Sequence, residues 1–140
     1  MYRGAYAGMR AYWFLARPDV VGVKCVLTDG DQVLLVRHTY GHRAWDLPGG
    51  AVRRGEDPVS AASREMHEEL GVAVGAWRAL GEVRANIDHR RDNMHCFQAD
   101  IAGQRISMDP CELAAARWFP RRQLPSELGR FVSHILALAA

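Results

Sequence analysis

Residues 49–72 read "GGAVRRGEDPVSAASREMHEELGV", a helix with a good start and a poor end. Asp57 suits the N-cap, and Pro58 suits the first helical position, where its missing N–H costs nothing. Gly71 is a natural terminator, free to enter the left-handed region. Between them the last two turns carry Glu65, Glu68 and Glu69. At about 100° per residue, these three fall within roughly 100° of arc, on one face. Like charges at i, i+4 repel by a few tenths of a kcal/mol. The negative end of the helix dipole also opposes anions in the last turn. An acidic helix face taken alone is ordinarily just solvated. A local rule broken this often without visible compensation points to function, and a bound cation is the plain compensation.

Along the same helix Val59, Ala62, Met66 and Leu70 form an apolar stripe beside the glutamates. The helix is therefore expected to pack on a core and keep its carboxylates at an edge. Upstream, "VVGVKCVL" and "QVLLVRHT" read as buried strands joined by the turn signal "TDGD". "YGHRAWDLPGG" reads as the loop into the helix, with Gly49 and Gly50 turning tightly to present a carbonyl. Downstream, "WRALGEVRANI" and "MHCFQADI" read as strands separated by the polar loop "DHRRDN", and "AAARWFP" as a short strand. Residues 126–138 read as a closing amphipathic helix capped by Ser126, and "MRAYWFLARP" as a short helix stopped by Pro18. The irregular alternation of strands and helices predicts an α/β fold, a mixed sheet with helices on both sides.

A chain of 140 residues suits one domain, expected over 1–140. With 49% hydrophobic and 24% charged residues it belongs to the folded globular class. The net charge of +2 neither requires nor excludes nucleic acid. Lys24 is the one lysine among the basic residues, and arginine suits phosphate recognition through its planar fork. Cys25, Cys96 and Cys111 match no zinc spacing and no disulfide framework, so thiols in a reducing, cytoplasmic setting are expected. No apolar run approaches the ~20 residues needed to span a bilayer. "AYWFLA" lacks the cleavage site of a signal peptide.

From Gly50 the spacing is Gly, five residues, Glu56, seven residues, then Arg64-Glu65-Met66-His67-Glu68-Glu69-Leu70-Gly71-Val72. This resembles the Nudix box at every fixed position. Seven identities at an average usage of ~5–7% coincide by chance at roughly one in 10⁸–10⁹ per start position, which excludes accident. "LPGG", "VLLVRH" and "ARWFP" also resemble the family, so the likeness extends over most of the chain. It implies a Nudix-like α/β/α sandwich and hydrolysis of a nucleoside diphosphate linked to another group. It also assigns metal ligation to Glu65, Glu68, Glu69 and the carbonyl of Gly49, with Glu65 alternatively sharing the proton-accepting role.

The residues agree with that chemistry on their own terms. Clustered hard oxygen ligands select Mg²⁺ or Mn²⁺, and such ions neutralise phosphate charge and acidify water. Arg64, four residues before Glu68, is placed to hold a glutamate by a charge-assisted bond. Glu56 is expected to brace the loop, with a further metal as the alternative. Arg37, Tyr40, Trp45, Arg90 and Arg91 are candidates for substrate binding: Tyr40 and Trp45 to stack on a base, the arginines to meet phosphates. Trp45 has a core residue as its competing reading, and Arg90 and Arg91 a solvated loop. Glu112, in a loop before the last strand, is a candidate general base, because some family members place the base on such a loop. Tyr6, Tyr12, Trp13 and Phe14 are candidates for a dimer contact or a cap on the sheet, leaving monomer and homodimer both open.

The proline that marks ADP-ribose hydrolases about sixteen residues after the box is absent; Asp88-His89-Arg90 stands there. The tyrosine associated with dinucleoside polyphosphate hydrolases is missing too. This leaves a nucleoside triphosphate pyrophosphohydrolase as the leading expectation. Removal of pyrophosphate from the 5′ end of RNA is the first alternative, with arginines at 53–54, 90–91 and 121–122 as a basic track. A catalytically inactive nucleotide-binding module is the second.

Overall fold

The run Val33-Leu34-Leu35-Val36 has no polar alternation because both of its faces are covered. Val33 and Leu35 point into one core, and Leu34 and Val36 into another. A strand buried on both faces reads as a continuous apolar run. The computed structural model describes residues 19–41, 43–87 and 90–139. Six strands form one mixed sheet: β1 (Asp19–Asp29), β2 (Gln32–His38), β3 (Gly49–Ala51), β4 (Arg78–Ile87), β5 (Arg90–Asp100) and β6 (Leu113–Pro120). The order is β4-β5-β1-β2-β6, with β3 paired to β1. β1 runs parallel to β5, and every other pair is antiparallel. Helix α1 (Pro58–Leu70) covers one face and helix α2 (Val132–Leu138) the other. This is the expected α/β/α sandwich.

β1 and β2 pair only beside their turn, at Thr28–Val33 and Asp29–Gln32, and then splay apart. The chain from Trp45 to Ala51 fills the gap. Asp46 exchanges both backbone hydrogen bonds with Val36 on β2, each 2.8 Å, and Cys25 N on β1 donates to Pro48 O at 2.8 Å. Gly50 then lies opposite Val23. The two glycines are therefore strand residues rather than a tight turn, and neither has positive φ. Close approach is what demands them. A Cβ on Gly49 would strike Val23 O, and one on Gly50 would meet the Glu65 carboxyl.

Helix α1 begins and ends where expected. Asp57 takes extended N-cap angles but makes no side-chain capping bond, while Gly71 is left-handed at φ 67°. Its N–H donates to His67 O at 3.0 Å. Ala62, Met66 and Leu70 are buried, and Val59 packs partly buried beside them.

Two expected boundaries shift. "DHRRDN" is not a polar loop between strands: β5 already starts at Arg90 and runs through Asn93. The closing helix is not capped by Ser126 but starts at Val132, because residues 126–131 are spent on the sandwich edge. There Trp45 N donates to Glu127 O at 2.8 Å and Gly129 N to Trp45 O at 2.7 Å. The expected N-terminal helix and Tyr6, Tyr12, Trp13 and Phe14 lie outside the described residues. Cys25 and Cys96 are buried free thiols and Cys111 an exposed one. No described helix is long and apolar enough to cross a membrane.

Candidate active site

The helix was expected to hold its glutamates at an edge, yet two of them are buried: Glu65 is 5% exposed and Glu69 1%. The close approach of β3 to α1 covers Glu65. Gly50 leaves just the volume that the Glu65 carboxyl occupies.

Arg64 compensates Glu65. Its Nη1 donates to Glu65 Oε1 at 2.8 Å, its Nε and Nη2 make a two-point contact with Glu56 at 2.9 and 2.8 Å, and Nη2 also reaches Ala51 O at 2.9 Å. One guanidinium thus joins helix, strand and loop, which only a planar fork with several donors can do. Its contact with Glu68, the partner expected from the i, i+4 spacing, is longer at 3.6 Å. Glu56 braces the loop, as expected. Arg53 N donates to its Oε1 at 3.0 Å, and the Arg64 bond lowers its pKa to about 2.

Glu69 has no such help. Both its carboxylate oxygens are buried with no N–H donor among the described residues, and the one side chain that bonds to it is another acid, Glu65. The acids among its neighbours are Glu65 and Glu112. Burial, then Glu65, then Glu112, push its pKa well above the ordinary value, and the opposing charge of Lys24 does not offset them. A buried carboxylate without an N–H donor is costly, and a cation is what such a group lacks.

Glu112 reaches this cluster from far along the chain. Asp109 N donates to Glu69 O and Ser107 N to Leu70 O, each at 2.8 Å, so two of the orphan carbonyls at the end of α1 anchor the loop before β6. From the other side Thr39 N donates to Glu112 O at 3.0 Å, and Thr39 Oγ1 to Cys111 O at 2.9 Å. Glu112 is left 6% exposed beside Glu69. Sequence reasoning missed Thr39 and Asp109 as the positioning residues; no periodicity marks a loop-to-loop contact.

The other candidates divide. Tyr40 joins the cluster, but through its hydroxyl, which is hydrogen-bonded to Glu112. Burial first, then Glu112, Glu69 and Glu65, raise its pKa. Trp45 is a core residue, 6% exposed, packed edge-on against Phe119 on the face that α2 covers. It is not free to stack on a base. Arg37 lies over the Trp45 ring at 4.4 Å on that same face. Arg91 is exposed on β5 beside Asp19, six residues and roughly 20 Å along β1 from Cys25, which faces Glu69. It is not among the carboxylates, and the side chain of Arg90 lies outside the described residues.

The cluster can receive a hard cation, because Glu69 offers two unsatisfied oxygens beside further carboxylates. Among the described residues, no three acidic, His or Cys side chains already stand at coordinating spacing. Glu68 instead faces Arg53 at 3.7 Å and Arg64 at 3.6 Å.

A family model for the NUDIX domain matches residues 18–138. The chain belongs to the Nudix family. A Bacillus subtilis (strain 168) protein, provisionally named an 8-oxo-dGTP diphosphatase, is 34% identical to this Nudix chain over 100 residues, covering 71% of it and 65% of the relative. An RNA pyrophosphohydrolase of Legionella pneumophila (strain Corby) is 37% identical over 65 residues, covering 46% of this chain and 37% of the relative. The Nudix chain thus spans less than two thirds of either relative's length. The crystal structure of a MutT NUDIX hydrolase from Burkholderia pseudomallei superposes with a TM-score of 0.80 at 25% identity, over 89% of this chain and all of that one.

Proposed function

We propose that this Nudix protein is a divalent-metal-dependent hydrolase of a nucleoside diphosphate linked to another moiety, with a nucleoside triphosphate as the leading substrate. The observation that carries this reading is the buried Glu69 carboxyl, without an N–H donor and surrounded by the acids Glu65 and Glu112. A module that only bound nucleotides would gain nothing from that cost. The relative named for 8-oxo-dGTP supports a triphosphate.

In this reading Glu65, Glu68, Glu69 and the Gly49 carbonyl hold Mg²⁺ or Mn²⁺. The bound ion supplies charge neutralisation at the phosphates and acidification of water. Arg64 orients Glu65 through its 2.8 Å bond and ties that carboxyl to the loop and to β3. Glu112 accepts the proton of the attacking water, and Tyr40 orients Glu112. Water attacks one phosphorus of the anhydride, giving nucleoside monophosphate and, from a triphosphate, pyrophosphate.

Removal of pyrophosphate from RNA 5′ ends is the second reading, favoured by the Legionella relative. Its basic track is weakened at one point. Arg121 spends its guanidinium on Leu136 O at 3.0 Å. A panel of nucleotides and 5′-triphosphorylated RNA with Mg²⁺ or Mn²⁺, scored for phosphate and pyrophosphate, tests both readings. Pyrophosphate from free triphosphates supports the first. A far higher kcat/KM on RNA promotes the second, and orthophosphate as the sole early product refutes the assigned bond.

A further inference from the structure

Glu68 cannot satisfy a guanidinium and a cation with the same oxygens, and two arginines now face it. We propose that Arg53 is a specificity residue that exchanges partners: it leaves Glu68 when the cation binds and takes the anionic phosphates of the substrate. This rests on the metal-dependent reading above.

The two arginines differ in freedom. Arg64 is 15% exposed and held at 2.8–2.9 Å by Glu56, Glu65 and the Ala51 carbonyl, so losing its 3.6 Å contact with Glu68 leaves it in place. Arg53 is 52% exposed and meets Glu68 at 3.7 Å. Its backbone is clamped on both sides of the loop: Arg53 N donates to Glu56 Oε1, and Glu56 N donates to Arg53 O, each at 3.0 Å. The base of the side chain is fixed while the head can swing. An ion pair this long and this exposed is weak, so a divalent ion displaces it readily. The displaced guanidinium stays tethered beside the carboxylates. There a planar, permanently charged fork matches the geometry and charge of a phosphate. A residue that only relieved repulsion on the helix would lose its role once the ion bound.

The test compares wild type, Arg53→Gln and Arg53→Lys in two measurements: calorimetric titration with Mn²⁺ alone, and steady-state hydrolysis of a nucleoside triphosphate at saturating Mn²⁺. We expect Arg53→Gln to bind Mn²⁺ about two- to fivefold tighter, the factor that an exposed ion pair is worth. Its KM should rise at least fivefold with kcat within about twofold, and Arg53→Lys should fall between. Unchanged Mn²⁺ affinity overturns the exchange, and so does an unchanged KM. Wild type that hydrolyses no nucleotide overturns the proposed function, and this inference with it. Wild-type turnover with an indifferent Arg53→Gln overturns this inference alone.

Discussion

A Cβ on Gly50 would overlap the carboxyl carbon of Glu65. The atom it strikes is the end of a side chain, and Gly50 has no positive φ, so Gly50→Ala should fold. What must move is Glu65, away from the 2.8 Å bond to Arg64. We predict a loss of kcat of at least about tenfold, with weaker Mn²⁺ binding and an unchanged circular dichroism spectrum. Wild-type kcat in Gly50→Ala would show that the position of Glu65 is immaterial.

Glu69→Gln should lower kcat by about two orders of magnitude or more and yet stabilise the metal-free protein. The folded-state pKa of Glu69 lies above its ordinary 4.5. Between those two values the native state holds a proton that the unfolded chain has released. Metal-free stability contributed by this group is therefore present at low pH and lost as pH rises from 4.5 toward the folded value. Melting curves in EDTA across pH should show that slope in wild type and lack it in Glu69→Gln. Millimolar Mg²⁺ or Mn²⁺ should reverse the order, stabilising wild type by about 2.7 kcal/mol at a hundredfold excess over Kd.

Tyr40→Phe separates the hydroxyl from the ring. If Tyr40 acts by orienting Glu112, the phenylalanine variant loses about tenfold in kcat, less than the roughly 10²–10⁴-fold of a general acid–base group itself, with little change in KM. Stacking on a base predicts the opposite: a phenylalanine variant close to wild type and a raised KM in Tyr40→Leu. Steady-state kinetics of the two variants decide.

Trp45→Ala should be a stability variant. The side chain is 6% exposed and packs against Phe119 at a centroid distance of 5.0 Å. Truncating a buried aromatic costs about 3–5 kcal/mol. Urea denaturation should report that loss, while KM, measured where the variant remains folded, should move little. A raised KM without lost stability would return Trp45 to the substrate.

From residues alone one could read the glutamate-bearing helix, because its signals are local. Asp57-Pro58 and Gly71 set its ends, the Val59–Leu70 stripe sets its inner face, and the crowded glutamates mark the feature that helix physics does not want. The doubly buried strands were legible for the same reason: Val33–Val36 has no solvent face to record. Three things waited for the tertiary structure. The reason for Gly49 and Gly50 is the approach of two other elements, Val23 and Glu65, and no turn signal carries it. The partner of Arg64 is chosen by a strand carbonyl and a loop glutamate as well as by helix spacing, so i, i+4 arithmetic named the weaker contact. Glu112 meets Glu69 because backbone donors at Ser107 and Asp109 seek the unpaired carbonyls at the end of α1. Spacing along the chain encodes which face of a helix a side chain takes. Which distant loop closes on that face is set by backbone hydrogen bonds that any sequence can supply, and only the folded chain determines them.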